Sequence, residues 1–267
     1  MRPDPTSRFS SRVADYVRFR PSYPAALIGK LEADCGFAPS WEVVDVGSGT
    51  GILSRLFLDQ GNRVSAVEPN REMRLAAERL MADHPLFTSL EGRAETIPLR
   101  DGSVELVAAG QAFHWFEPEP ARREFRRVLK PGGWVLLVWN ERRKTSTPFL
   151  CAYEELLLEF ATDYRQVDHS MLGIETIEAF FGQAPGVVVF DNSQIFDLPG
   201  LTGRLLSSSY APGPNHTDHR RMLEALREIF LAHRKEGRVT FEYDTRAYYG
   251  RLDSLPPPAR VRYPGAG

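Results

Sequence analysis

From residue 42 to residue 140 the apolar positions alternate between two periods. Short continuous runs, Val43-Val44-Asp45-Val46, Val64-Ser65-Ala66-Val67, Val104 to Ala109 and Trp134 to Trp139, have the length and β-branched content of buried strands. Between several of them the apolar residues recur at three and four. Ile52, Leu53, Leu56 and Phe57 do so ahead of Gly61, a C-terminal cap. Met73, Ala76, Ala77 and Leu80 follow Asn70, whose side-chain oxygen suits free helical N–H groups. Ala121, Phe125, Val128 and Leu129 make a third helical stripe, stopped by Pro131-Gly132-Gly133. Strand and helix in alternation predict an α/β protein, a parallel sheet with helices on both faces.

Beyond Arg143 the pattern changes. Residues 148 to 182 read as helices, with Phe149, Tyr153, Leu156, Leu157 and Phe160 on one face, and Val187 to Leu198 returns to strand character. Residues 201 to 236 are helical again, with Met222, Leu226, Ile229 and His233 on one side. Val239, Phe241, Tyr243, Thr245, Ala247 and Tyr249 alternate with mostly polar residues, which marks a last strand with one face buried. The expected layout is one sheet of seven strands with helical insertions flanking the sixth as a lid. Residues 1–40 are expected to form N-terminal cap helices, 41–145 a cofactor-binding core, 146–250 the lid insertions and the last two strands, and 251–267 a Pro-rich tail.

Composition narrows the partners. Of 267 residues, 33 are Lys or Arg and 35 Asp or Glu, a formal charge of −2 that gives no electrostatic reason to bind a nucleic-acid backbone. Two cysteines, Cys35 and Cys151, stand apart with no metal-ligand spacing, so no metal is expected. The opening Met1 to Ser7 is polar with no signal-like apolar core behind it, and the longest aliphatic-aromatic run falls far short of the ~20 residues of a membrane span. A soluble, cytoplasmic protein with a small-molecule partner is expected, with a homodimer left open.

The chemistry concentrates in Val43-Val44-Asp45-Val46-Gly47-Ser48-Gly49-Thr50-Gly51, between a strand and a helix, where glycines let a ligand approach bare backbone. Dinucleotide sites use Gly-x-Gly-x-x-Gly; here the spacing is Gly-x-Gly-x-Gly, with Ile52 where the third dinucleotide glycine would fall. Asp45 adds a charge argument. A carboxylate ~4 Å from a phosphate charge costs about 4 kcal/mol at an effective dielectric near 20, whereas it attracts an ammonium. S-adenosylmethionine carries an ammonium, a sulfonium and a carboxylate but no phosphate, so Asp45 favours it. Glu68, 21 positions after Gly47, suits the two ribose hydroxyls of either cofactor class. In the loop Gly92 to Leu99, Glu95 can accept the adenine amino group.

With these motifs in view, the sequence resembles the class I S-adenosylmethionine-dependent methyltransferases, closest to small-molecule enzymes acting on quinone precursors or trans-aconitate. The resemblance covers residues 10 to about 140, through Val-Asp-Val-Gly-Ser-Gly-Thr-Gly, Glu68, Ala94-Glu95 and Phe125 to Gly133. It implies a Rossmann-like sheet of seven strands, mostly parallel with the last antiparallel. It assigns Asp45 and the loop of Gly47, Ser48, Gly49 and Gly51 to the methionine part, Glu68 to ribose, Ala94 and Glu95 to adenine, and Pro69 and Met73 to the adenine face. Tyr16 to Pro24 looks like the group's N-terminal cap, in which Arg20 and Tyr23 close the site on cofactor and substrate; Arg-Pro and Tyr-Pro pairs also suit surface turns.

Acceptor-facing candidates lie at the strand ends. Gly110-Gln111-Ala112-Phe113-His114-Trp115-Phe116 replaces the Asn/Asp-Pro-Pro-aromatic motif of many nucleic-acid amino-methyltransferases. His114 is the candidate general base, with packing under Trp115 as its bland alternative. Gln111 suits the cofactor, and Trp115 and Asn140 the acceptor, Asn140 being otherwise a turn residue. Arg204 and Tyr210 open a cation-rich lid segment to Arg221 that suits an acidic acceptor or, alternatively, makes a solvated helix face. Arg122, Arg123, Arg126, Arg127 and Lys130 read as a solvated face. The expected activity is methyl transfer from S-adenosylmethionine to a small molecule at oxygen, nitrogen or carbon. A catalytically silent cofactor binder and an NAD(P)-dependent oxidoreductase are the alternatives.

Overall fold

The computed structural model describes residues 13–162, 164 and 173–252; residues 1–12 of the expected cap, 163 and 165–172 of the expected helical stretch, and the Pro-rich tail beyond 252 lie outside the described residues. The N-terminal helices are α1 (Val13–Phe19) and α2 (Ala26–Cys35). The alternating half follows as β1 (Glu42–Val46), α3 (Ile52–Leu58), β2 (Arg63–Val67), α4 (Arg71–Leu80), β3 (Phe87–Leu90), β4 (Val104–Gly110), α5 (Pro118–Val128) and β5 (Leu129–Arg142). The remainder is α6 (Pro148–Phe160), α7 (Ile174–Phe181), β6 (Gly186–Phe196), α8 (Leu198–Leu206), α9 (His219–His233) and β7 (Val239–Gly250).

All seven strands form one sheet in the order β3-β2-β1-β4-β5-β7-β6. Neighbours from β3 to β5 are parallel, and β7 runs antiparallel between β5 and β6. The chain winds outward from β1 to β3, then crosses back to β4 and β5. The carboxyl ends of β1 and β4 therefore flank the switch point, where parallel α/β sheets open a crevice.

Period-two side-chain alternation divides the core. Val44, Val46, Val107, Ala109, Leu137 and Trp139 face α5 and α7, meeting Phe113, Phe125, Phe180 and Phe181. Val43, Leu106, Ala108, Leu136 and Val138 face the other way onto Leu27 and Leu31 of α2 and Leu53 and Phe57 of α3. A third cluster joins α6, α8 and α9 to Phe196, Val239, Phe241 and Tyr243 at the far ends of β6 and β7. Every apolar-phase residue of the last strand expected to be buried, from Val239 to Tyr249, is buried. Helix α8 lies close on α1: a Cβ at Gly203 would stand 2.0 Å from the Phe19 ring.

Two expectations need correcting. Leu129 does not extend the third helix but begins β5, with φ −69° and ψ 135°, where it pairs with Val104 of β4. Arg122 is not on a solvated face. It is 3% exposed, and its Nε donates to the Phe180 carbonyl at 2.6 Å, tying α5 to the end of α7. Arg127 and Lys130 are half-exposed, Arg127 in ion pairs with Asp101 and Glu124 and in hydrogen bonds to the Ile97 and Leu99 carbonyls, Lys130 in an ion pair with Glu105. No described helix is long and apolar enough to cross a membrane, and no cluster of metal-ligating side chains occurs among the described residues.

Candidate active site

The loop after β1 turns on three left-handed glycines, Gly47 (φ 68°), Gly49 (58°) and Gly51 (84°). It is pinned to the end of β2: Gly47 and Ser48 donate N–H bonds to the Val67 carbonyl at 2.8 and 3.2 Å, and Gly49 donates to Glu68 Oε2 at 3.0 Å. Glu68 also accepts from the Asn70 N–H through Oε1 at 2.8 Å, and Asn70 caps α4 by accepting from Met73 N–H at 3.0 Å. Burial raises the Glu68 pKa, and these two backbone donors work against that shift.

Gly47 and Gly49 share a backbone conformation but not an environment. A Cβ at Gly47 would lie 2.6 Å from Ala112 Cβ, whereas one at Gly49 meets nothing within 4 Å. Gly49→Ala is expected to cost about 1–2 kcal/mol of left-handed strain alone. Gly47→Ala should lower the melting temperature further and shift the β4 loop; equal melting temperatures would contradict this geometry.

A cavity of about 470 Å³ opens beside the loop. Gly47, Gly49, Glu68, Pro69 and Met73 line one wall, and Ala94, Glu95, Gln111 and Trp115 the other. Glu95 is partly committed, since its Oε1 accepts from the Glu117 N–H at 2.9 Å. A smaller chamber of about 100 Å³ adjoins it, sharing Tyr16, Gly47, Gly49, Gly110, Gln111 and Trp115. Arg20, Tyr23, Asp45, Ser48 and His114 reach this chamber from the N-terminal half, and Asn140, Arg204 and Tyr210 from the rest of the chain. Among the candidate site residues only Gly51 lines neither space; it starts α3 and backs onto Met81.

Asp45 is wholly buried on the chamber wall. Ser54 Oγ donates to its Oδ2 at 2.6 Å, while Oδ1 has no hydrogen-bond partner among the described residues. Desolvation raises its pKa to about 7, so its charge near neutrality depends on what lies beside it. The sequence treats Asp45 as a fixed charge; burial makes that charge conditional and weakens the electrostatic case against a phosphate, leaving the glycine spacing to carry it.

Gln111 holds a left-handed backbone (φ 56°) directly after β4. Its N–H donates to the Val138 carbonyl and its Nε2 to the Asn140 carbonyl, both at 2.9 Å. The Asn140 side chain is occupied: Nδ2 donates to Ser22 O at 3.2 Å, and Oδ1 accepts from Thr245 Oγ1 and, at 3.1 Å, from Asn192 Nδ2. Asn140 thus anchors the Pro21-Ser22 turn over the strand ends. His114 lies in a single 3₁₀ turn, its ring 4.6 Å from that of Trp115. Tyr23 packs over Gly110, where a Cβ would stand 2.5 Å from its hydroxyl, and burial keeps this phenol protonated well above its ordinary range.

Sequence reasoning missed Ser54 as a partner of this site, and it named Gly110 and Tyr16 only as members of longer segments. A spacing signal existed for Gly110, at the end of an apolar strand, but Ser54 looks like any small residue of a helix.

The strand order, with β7 inserted antiparallel beside β5 and a glycine loop at the β1 switch point, is a fold shared with solved structures described as putative methyltransferases. Residues 44–137 match the family model described as a methyltransferase domain. An uncharacterized methyltransferase of Mycobacterium tuberculosis is 43% identical over 141 residues, 53% of this chain and 55% of that protein. One from Schizosaccharomyces pombe is 37% identical over 150 residues, 56% of this chain and 58% of its own. The matched region therefore spans little more than half the length of these curated relatives. Among solved structures, a putative type II methyltransferase from Anaeromyxobacter dehalogenans shares the fold with a TM-score of 0.64 at 22% identity, covering 88% of this chain and 98% of that one.

Proposed function

We propose that this protein transfers a methyl group from S-adenosylmethionine to a small-molecule acceptor. The observation that carries the reading is the unpartnered Oδ1 of buried Asp45, on the wall of a small chamber that adjoins a nucleoside-sized cavity. The residues fit the donor. Glu68 would accept the ribose hydroxyls with the lone pairs its two backbone bonds leave free, and Pro69 and Met73 give adenine an apolar wall beside Ala94 and Glu95. Asp45 would take the ammonium, which draws its carboxyl into the charged form. Arg20, whose buried Nε has no hydrogen-bond partner among the described residues, would take the carboxylate.

When bound, S-adenosylmethionine supplies an activated methyl group, so the chain needs mainly to align and enclose. The glycine loop and the backbone after β4, held by Gln111, fix the floor shared by both spaces. Tyr16, Arg20 and Tyr23 cover it from the N-terminal segment and exclude water. Alignment of this kind supplies about 7–11 kcal/mol of a barrier. For an acceptor that must lose a proton, His114 on the chamber wall is the proposed base; a carboxylate acceptor needs none.

Isothermal titration tests the reading. S-adenosylhomocysteine should bind in the micromolar range while NADH does not. Tight NADH binding without response to the adenosyl ligand would falsify it. Transfer of labelled methyl to any acid, phenol or amine separates the enzyme from a silent binder.

A further inference from the structure

The smaller chamber carries more positive charge than the proposed donor can match. Arg20 and Arg204 both line it, 184 positions apart in sequence, and neither forms an ion pair with a carboxylate among the described residues. Arg204 is 5% exposed, and burial, together with the nearness of the two guanidiniums, lowers the Arg20 pKa. Buried cations are ordinarily matched by an anion.

The arginines are held differently. Arg20 donates from Nη2 to the Ser207 carbonyl at 3.0 Å and lies 4.9 Å over the ring of Tyr16, a residue common to both spaces. That places it with the donor. Arg204 sits on the lid side. Its Nε donates to Tyr243 Oη and its Nη1 to Ser208 Oγ, both at 3.1 Å, and its guanidinium lies 5.8 Å from the Phe241 ring centre. Tyr243 is itself fixed by donating to Gln194 Oε1 at 2.9 Å. These bonds orient the fork and leave Nη2 without a hydrogen bond among the described residues.

The charges can be counted. Asp45 meets the donor's ammonium, and Arg20 meets its carboxylate. The sulfonium and Arg204 remain, both positive. We propose that Arg204 receives a carboxylate of the methyl acceptor, so that the substrates are small organic acids. The proposal rests on the methyltransferase reading and gives it a substrate class. The rest of the lid's cations are not needed: His216, Arg220 and Arg221 are exposed, and the latter two pair with Glu224 and Asp218.

The test titrates the protein preloaded with S-adenosylhomocysteine with acetate, succinate and benzoate, with the matching neutral amides, and with inorganic phosphate. At least one acid should bind and its amide should not. Arg204→Gln should weaken that acid at least about tenfold, the loss of one charge-assisted bidentate contact, with Arg204→Lys between. Affinity for S-adenosylhomocysteine should change less than about threefold in both variants, against a large loss in Arg20→Gln. No acid binding, equal binding of acid and amide, or preference for phosphate would each overturn the proposal. So would a loss of S-adenosylhomocysteine affinity in Arg204→Gln as large as in Arg20→Gln, which would give both arginines to the donor. If Arg204→Gln does not fold, the acid-against-amide comparison on the unmodified protein decides. Failure of S-adenosylhomocysteine itself to bind would instead refute the methyltransferase reading.

Discussion

Glu68→Ala is expected to weaken S-adenosylhomocysteine binding at least about 100-fold, because two hydrogen bonds to a charged acceptor contribute about 1.5–3 kcal/mol each. The same change strips the Gly49 and Asn70 N–H groups of their acceptor, so the melting temperature should fall as well. Glu68→Gln separates the two roles. Its amide oxygen can keep one backbone bond, restoring part of the stability, yet it presents a weaker acceptor to the ribose. Calorimetric titration beside thermal melting reads both. Binding within about threefold of the unmodified protein in Glu68→Ala would remove Glu68 from the cofactor site.

The second large effect is a pH dependence set by Asp45. Its carboxyl is raised from 3.8 to about 7 by burial. A raised acid stabilises the fold below its unfolded value and loses that contribution as pH climbs through the folded value. The ligand-free protein should therefore lose up to about 4 kcal/mol between about pH 4 and pH 8 from this group. Asp45→Asn, which keeps an acceptor for Ser54, should flatten that decline. Binding follows the opposite sense. An ammonium favours the carboxylate, so below about pH 7 affinity for S-adenosylhomocysteine should drop about tenfold per pH unit, with one proton released on binding. Asp45→Asn should abolish both the slope and the proton release while binding more weakly above neutrality. Titration in buffers of different ionisation enthalpy counts the proton, and an unchanged slope in Asp45→Asn would assign the effect elsewhere.

These two residues show how differently parts of a site announce themselves. Glu68 stands at the end of an apolar strand, a fixed distance past a glycine turn, and both features are local. Asp45 is as easily found, but its behaviour depends on Ser54 and on complete loss of solvent, which no spacing encodes. Asn140 lies at the expected rim of the sheet, yet its amide holds Ser22, Thr245 and Asn192 from three distant stretches of chain. Arg122 carries the helical pattern of a surface arginine and is buried because α7 happens to end with free carbonyls above it.

The amino-acid order alone determined the alternating strands and helices, the left-handed glycine turn and the acidic residue that follows it, since side-chain period and backbone freedom act over a few neighbours. Tertiary structure decided what is charged and what meets what: the conditional carboxyl of Asp45, the strained Gln111, and two arginines drawn into one chamber. Desolvation and long-range contact come from chain segments far apart in sequence, and they exist only once the sheet has closed around them.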